Sequence, residues 1–597
     1  MRQSFNSARL FLVLSIFIFG FAAPGFPEIN KIRYHSNQEL QLKFQQLANR
    51  FPEWVHLGSI GKTAAGENLL LVRVGNGTEK ELDSRTGILM VGSVDGTRLT
   101  GSEVALGLVR NFAGMAGKVD SITAYLNKHV FYVIPRLNPE GADFYFKKVK
   151  WERGWNLTPT DEDEDGLTDE DGAEDLNGDG LITLMRYKDP EGAYFPDPET
   201  PELLRKADPA RGEKGIYKWV TEGIDNDRDG RYNEDGPGGV NPDMNFPQDY
   251  PFGKTGAGKF MVSEKETRAF SKFVFSRENI VLIVTYGRYD NLIHPAKVRP
   301  AQRSSTETEK GKSVRFSQAI TRTVDPEDIP YFDTVSKTYK KIMGLSGKAE
   351  PAAEAVDKSA GSLAKWAYFQ YGVPCFTTSL ITIPGPGKKA KADSSKNQKT
   401  VRPKKMLKRP GAKKEKDSLA RDRRWLAYFK KTGEEGFVSW KPFHHPQLGE
   451  VEIGGFVPFV RTTAPAPQLP ALIEKQTAFV AYLFGLLPEL TVSNLKVEKQ
   501  ADDVYALSLL VRNTGFLPTG TAFASKTRLV KPVLVKIFPE KGELLSGRKI
   551  TFIPKLEGSG AAKKVKWLIH APKNTNVKIK ILSEKAGTIE KTVILKD

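Results

Sequence analysis

Three times this chain sets oxygen-bearing side chains at alternate positions and then a glycine. Asp161, Asp163 and Asp165 precede Gly166; Asp175, Asn177 and Asp179 precede Gly180; Asp225, Asp227 and Asp229 precede Gly230. Alternating oxygen ligands followed by a residue that permits a sharp turn are how a loop wraps a hard divalent cation such as calcium. Between Asp161 and Asp179 eleven of nineteen residues are acidic and none is basic, so the stretch repels itself until cations neutralise it. Asp169 is a further candidate ligand. No repeat carries glutamate at its twelfth position, so a complete shell must draw ligands from neighbouring turns. The competing reading is a solvated acidic loop with no fixed ion.

Other reactive residue types offer less. Cys375 is the single cysteine, so no intramolecular disulfide forms. It lies in the apolar run VPCFTTSL, which reads as a packing position rather than a nucleophile. The seven histidines show no H-E-x-x-H or H-x-H pairing, and the adjacent His444 and His445 point apart on a strand. The formal charge of +18 is concentrated: Lys388 to Arg424 holds 16 Lys or Arg against 4 Asp or Glu. With almost no apolar residue this stretch cannot build a core, so a disordered insert is expected over about 385–424. Without interleaved aromatics it does not point to nucleic acid. Contact with an anionic surface, lipid or polysaccharide, suits it better.

These residues must be carried by elements, and the elements alternate. Apolar runs at Leu69–Val74, Thr86–Val91, His129–Ile134 and Ile280–Val284 read as buried strands. Helical spacing marks Asn37–Phe51 and Ser102–Ala113. The pattern predicts an α/β domain with a mixed or parallel sheet. Beyond it, short alternating runs at Val504–Val511, Leu529–Ile537 and Val577–Ile581 predict a C-terminal β-sandwich of immunoglobulin-like build over 490–597. At the other end, Arg2 and Arg9, the apolar run Leu10–Phe21 and Ala22-Ala23-Pro24 predict a cleaved export signal over 1–24, too short to span a bilayer. Export without disulfides suits a secreted or periplasmic bacterial protein, with no transmembrane segment after cleavage.

Between these ends five landmarks occur in order: the opening YHSNQELQLKFQQLANRFPEW, then ILMVGSVDGTRLTGSEVALGLV, PRLNPEGADF, GVNPDMNFP and WAYFQYGVPCFTTSL. Together they resemble the zinc carboxypeptidases of the A/B type, whose corresponding motifs are G-x-x-H-G-x-E, P-x-x-N-P-D-G, G-V-D-L-N-R-N-F-P and F-T-x-E-L. The resemblance implies a carboxypeptidase-like mixed sheet flanked by helices over 25–487. It is interrupted by the acidic insert (about 155–240) and the Lys-rich insert.

Carried over position by position, the resemblance implies loss of the zinc chemistry. The histidine and glutamate that hold zinc fall on Asp95 and Arg98, and an arginine cannot ligate a cation. The third ligand falls on Tyr286, or in a neighbouring alignment on Val284 or Thr285, none of them histidine, and the general base on Ser379, whose hydroxyl cannot take a proton from water at neutral pH. The asparagine and arginine that grip a C-terminal carboxylate fall on Asp243 and Met244. The oxyanion-stabilising arginine falls on Glu152, leaving Arg153 as the one residue able to rescue that role. The first hypothesis is therefore a pseudoenzyme that binds a peptide or cell-envelope ligand, holding calcium and having lost zinc. The others are an active metallocarboxypeptidase with non-standard ligands and a hydrolase of different chemistry in the same cleft.

Overall fold

The computed structural model of the chain describes residues 33–162, 164–296, 323–346, 349–384 and 410–596. The expected export signal, Asp163 and the Lys-rich insert up to residue 409 lie outside them. The first helix, α1 (Asn37–Arg50), starts on a reciprocal cap: the Glu39 N–H donates to the Ser36 hydroxyl while the Ser36 N–H donates to the Glu39 carboxylate. Then come β1 (Val55–Lys62), β2 (Asn68–Val74), β3 (Gly87–Gly92), α2 (Thr100–Met115), α3 (Asp120–Lys128) and β4 (Val130–Ile134). The acidic insert supplies β5 (Leu184–Lys188), β6 (Tyr194–Asp197), β7 (Thr200–Lys206) and β8 (Tyr217–Thr221). Next are α4 (Lys265–Phe275), β9 (Ile280–Tyr286), β10 (Tyr289–Asp290), α5 (Ile329–Met343), β11 (Glu350–Pro351), β12 (Glu354–Ala355), β13 (Cys375–Thr378) and β14 (Thr382–Ile383). Helix α6 (Pro410–Thr432), the hairpin β15 (Phe437–His445) and β16 (Gly449–Phe456), and α7 (Leu469–Phe484) complete the first domain.

Its central sheet has the order β1-β2-β4-β3-β9-β13. Strands β3, β4, β9 and β13 run parallel, and β1 and β2 are antiparallel to their neighbours, so the expected mixed sheet is present. Alternate residues feed two cores: Ile88, Met90, Phe131 and Val133 pack with α1, α2 and α7, whereas Leu89, Val91, Tyr132 and Ile134 pack with α4. Burial on both faces explains why these strands read as unbroken apolar runs.

Two parts of the chain differ from expectation. The acidic insert is more than cation loops: β5 to β8 join the β15–β16 hairpin in an antiparallel sheet of order β15-β16-β5-β8-β6-β7. The Lys-rich stretch, expected to lack structure as far as Arg424, is helical from Pro410 onward. The burial that its own composition lacks comes from downstream, where Trp425, Leu426 and Phe429 are buried. Arg421 and Arg424 pair with Glu350, and Arg423 pairs with Asp197, at 2.8, 2.5 and 2.5 Å.

Strands β17 (Leu490–Ala501) and β18 (Val504–Asn513) open the C-terminal domain, followed by a short helix α8 (Ala522–Thr527). Then come β19 (Val533–Pro539), β20 (Glu543–Ser546), β21 (Ile550–Ile553), β22 (Ala562–His570), β23 (Asn576–Ser583) and β24 (Gly587–Ile594). Two four-stranded antiparallel sheets result, β17-β18-β22-β20 and β21-β19-β23-β24. Tyr505, Leu507, Leu509 and Val511 alternate inward from β18 against Val535, Ile537 and Ile579, the expected sandwich. It is tied to the first domain by buried polar groups. The Asp328 carboxylate accepts the Ala522 and Phe523 N–H groups, and Lys585 donates to the Glu278 and Ile280 carbonyls and the Tyr371 hydroxyl. Among the described residues no helix is long and apolar enough to cross a membrane.

Candidate functional site

Strands β3, β9 and β13 end together, with Gly92 opposite Tyr286 and Tyr286 opposite Thr378. The chain leaving each strand therefore arrives at one edge of a parallel sheet, where open α/β folds place their ligands. After β3 comes Asp95, 5% exposed. Its Oδ1 accepts the Thr97 N–H and hydroxyl, and its Oδ2 accepts the Asn241 amide at 2.8 Å. A Cβ at residue 154 would lie 2.5 Å from Asp95 Oδ1, so glycine is required there. Half-buried Arg98 donates from Nη1 to the Ala352 carbonyl at 3.0 Å, while its Nε–H is buried without a partner.

After β9 the paths diverge. The Tyr286 hydroxyl donates to Gln476 Oε1 on α7 at 2.8 Å, so this side chain belongs to the helical core. Arg288, two residues on, is the one that stands beside Asp95 and Asp243. Its Nη1 donates to Met244 Sδ at 3.7 Å. After β13, Ser379 Oγ donates to the Ile381 carbonyl at 2.9 Å, closing a turn in which Leu380 has φ of 64°. Asp243 is 5% exposed and accepts the Leu363 N–H at 3.0 Å.

Arg153 requires a correction. It does not face Asp95 or Asp243; its guanidinium lies between the Trp151 and Trp155 rings, 4.6 and 4.5 Å from their centroids. It donates to the Gly236 and Gly238 carbonyls of the insert. Flat aromatic faces on both sides hold a planar cation better than an open cleft does. Glu152 accepts the Phe459 N–H at 2.7 Å and faces the field of Arg98.

Burial pushes the Asp243 carboxyl up to about 7, with Asp95 adding to the rise and the Leu363 N–H opposing it. A carboxyl raised on folding binds its proton more tightly in the native state. Its contribution is therefore fully present below about pH 4 and is lost as pH rises through 7. Asp243→Asn keeps the acceptor for Leu363 and removes the titration. It is expected to be more stable than the parent at pH 8 by roughly 3–4 kcal/mol and to differ little at pH 4, as read from denaturant melts at both pH values.

In the acidic insert the three repeats fold the same turn. The N–H of the glycine donates to Oδ2 of the first aspartate in each: Gly166 to Asp161, Gly180 to Asp175 and Gly230 to Asp225, at 3.0, 2.8 and 3.1 Å. Each glycine has positive φ, 98°, 82° and 90°, where a side chain would be strained. The fifth residue repeats as well: Asp165, Asp179 and Asp229 each accept the N–H two residues on. Among the described residues only the third repeat brings three carboxylates together, Asp225, Asp227 and Asp229 within 4.8 Å. A second group, Asp171, Asp227 and Glu234, shares Asp227. Asp169 joins neither; it accepts the Gly238 N–H at 2.9 Å. His445 is buried with Nε2 on the Gly223 carbonyl, while exposed His444 pairs with Glu450.

The model of the family described as "Zinc carboxypeptidase" matches residues 42–178 and 216–392, more than half of the chain. The chain belongs to the zinc carboxypeptidase family. A second family model, described as a domain of unknown function, matches residues 489–594, the sandwich. Among known proteins, this family member is 30% identical over 114 residues to carboxypeptidase M of Mus musculus, covering 19% of this chain and 25% of that one. It is 22% identical over 123 residues to carboxypeptidase E of Caenorhabditis elegans, covering 20% and 26%. The chain thus spans about a quarter of the length of these relatives. Of solved structures, carboxypeptidase A from Helicoverpa armigera is similar at 12% identity and TM-score 0.36, over 62% of this chain and 71% of that one. Bovine thrombin-activatable fibrinolysis inhibitor is similar at 12% identity and TM-score 0.35, over 76% and 97%.

For this carboxypeptidase homologue, the sequence expectations missed Arg288, Asn241, Asp171 and Glu234. Arg288 had a signal: an arginine two residues beyond an apolar strand, in YGRYD, is a charge delivered to the strand's end. Asp171 sits inside the acidic run with nothing to distinguish it until the fold brings Asn226 and Asn233 onto its oxygens.

Proposed function

We propose that this protein is an exported, non-catalytic member of its family that binds a peptide or cell-envelope ligand, with calcium ordering the acidic insert. The observation that carries the reading is the donor set at the strand ends. Zinc needs neutral or anionic donors that converge on one point. Asp95 has both oxygens engaged, Arg98 is a fixed cation, the Tyr286 hydroxyl is held by Gln476, and Ser379 is tied into its own turn. These residues do not fit a zinc ion, and no hydrolytic step is derived through one. Calcium is supported by the repeated turn and by the close carboxylates of the third repeat.

Elemental analysis of the mature protein, purified without chelator, is expected to find calcium and no stoichiometric zinc, and C-terminally free peptides are expected to stay intact. Removing calcium is expected to lower the melting temperature of the first domain by several degrees, since a cation bound only to the native state stabilises it by mass action. Stoichiometric zinc with release of C-terminal residues would restore the active metallocarboxypeptidase with non-standard ligands. An unchanged melt in chelator would remove calcium from the reading.

A further inference from the structure

We propose that the outer face of the sheet β17-β18-β22-β20 binds a linear anionic polysaccharide, one bearing sulfate or carboxylate groups, along a groove with an apolar floor and three unpaired lysines. The surface belongs wholly to the sandwich and is independent of the ligand proposed for the first domain.

The first support is charge. Residues 490–597 hold 20 Lys or Arg against 9 Asp or Glu, and the two sheets of the sandwich treat that excess differently. On β23 the lysines are matched: Lys578 and Lys580 both pair with Glu590 of β24, at 2.8 and 2.6 Å. On the other sheet they are not. Register places Lys496 and Lys566 on either side of Ser508, in one row across three strands, and Lys564 beside Leu510 in the next row. Cross-strand partners share a face, and on β22 the two lysines alternate with inward-facing Val565 and Trp567, so all three ammonium groups stand on the same side. They are exposed, and among the described residues none of them has an ion-pair or hydrogen-bond partner. Their backbone positions are about 7 Å apart along β22 and about 10 Å apart across β18, close enough for like charges to repel. Glu498, at one end, is the single acid among the described residues that line the groove. A polyanion laid across the row relieves the repulsion.

The second support is shape and donor chemistry. The lysines border a groove of about 480 Å³ whose floor includes Leu510 and Leu568, both half-buried. The register of β17 shifts between Ser493 and Lys496, and Asn494 within that bulge has φ of 50° and lines the groove. Its amide and the hydroxyls of Ser508 and Ser546 therefore lie among the ammonium groups. The Ser493 hydroxyl, on the same face through its pairing with Leu510, is buried with no hydrogen-bond partner among the described residues. Mixed ammonium, hydroxyl and amide groups over an apolar floor suit a sugar chain, whose rings present C–H faces and whose substituents present hydroxyls and anionic oxygens. Two other polyanions fit less well. Single-stranded nucleic acid stacks its bases on aromatic faces, but the aromatic residue of this groove, Trp567, is 3% exposed and donates its N–H to the Arg548 carbonyl at 2.9 Å. A lipid surface is gripped by apolar side chains that enter it, whereas the leucines of the groove lie at its floor.

The test uses the full mature chain in calcium-containing buffer at about 0.15 M ionic strength. The probes are dextran sulfate, unmodified dextran of equal length, and phosphatidylglycerol vesicles. Dextran sulfate is expected to bind, and the other two are not. Lys496→Gln, Lys564→Gln and Lys566→Gln together are expected to weaken that binding at least about tenfold at unchanged melting temperature. The same loss of charge at Lys388, Lys389 and Lys391 of the Lys-rich insert is expected to change it less than about twofold. A second measurement needs no variant: dextran sulfate is expected to slow acetylation of Lys496, Lys564 and Lys566 in the parent and to leave Lys578 and Lys580 unaffected. Equal protection of all five lysines, loss of binding in the insert variant alone, or binding to vesicles in place of the polymer would each overturn the inference. Peptide binding by the first domain stands or falls separately.

Discussion

Replacing Asp328 with alanine is expected to cost about 3–5 kcal/mol and to split thermal unfolding into two transitions, one per domain. Asp328 is 2% exposed and accepts from three donors: the Ala522 and Phe523 N–H groups at 2.7 and 3.2 Å and the Tyr368 hydroxyl at 2.6 Å. Two of these belong to the start of α8 in the sandwich domain and one to the first domain. Removing the carboxylate therefore strands two backbone donors and a phenol at a buried junction. Desolvation of unpaired polar groups, not loss of contact area, sets the size of the effect. Differential scanning calorimetry checks it: a single transition at the parent temperature would show that the junction stands without Asp328. Asp328→Asn, which keeps one acceptor oxygen, is expected to fall between the two.

Arg153→Ala is the second large effect, expected to loosen the acidic insert by about 3–4 kcal/mol while the central sheet stays folded. The side chain is 5% exposed, stacked between two indoles, and donates to carbonyls on the far side of the insert. Burial pulls its pKa down to about 10, and Glu162, Asp169 and Asp235 oppose that fall, so it stays charged at neutral pH. Alanine removes the stack and leaves the Gly236 and Gly238 carbonyls to water. Hydrogen exchange is expected to rise over 160–240 and to remain unchanged in β3, β4 and β9. Equal protection in parent and variant would mean that the insert is held by its sheet alone. Arg153→Lys is expected to rescue poorly, because an ammonium cannot stack between two rings.

Much of this architecture is legible in the sequence, for a physical reason. Strands buried on both faces must be apolar throughout, so β3, β4 and β9 could be placed to within a residue or two. Period-two alternation in β18 follows from one wet face and one dry one. The insert sheet was not legible because β5 to β8 are short and rich in charge, and their partner β16 lies far along the chain. Helix α6 was missed because its apolar anchor begins at Trp425, just past the last residue of the basic stretch. At the candidate site, motif order located the strand ends, and Asp95, Arg98 and Asp243 do meet there with Arg288. Side-chain direction was beyond reach of the letters: Tyr286 and Arg288 are two residues apart, yet one enters the core and the other the cleft. Arg153 likewise could not be aimed until Trp155 and the Gly236–Gly238 turn were in place.

The pairing of β5 with β16 has a kinetic consequence. Arg186 and Glu452, opposed across that pair at 2.9 Å, are 266 residues apart in the chain. Closing so long a loop is slow. A chain emerging from its N-terminal end must therefore wait, with β5 as an open edge and the aspartate loops unsupported, until the hairpin has followed it out. Until then the like charges of the loops repel those of a second copy, which works against edge-to-edge pairing of two unfinished chains.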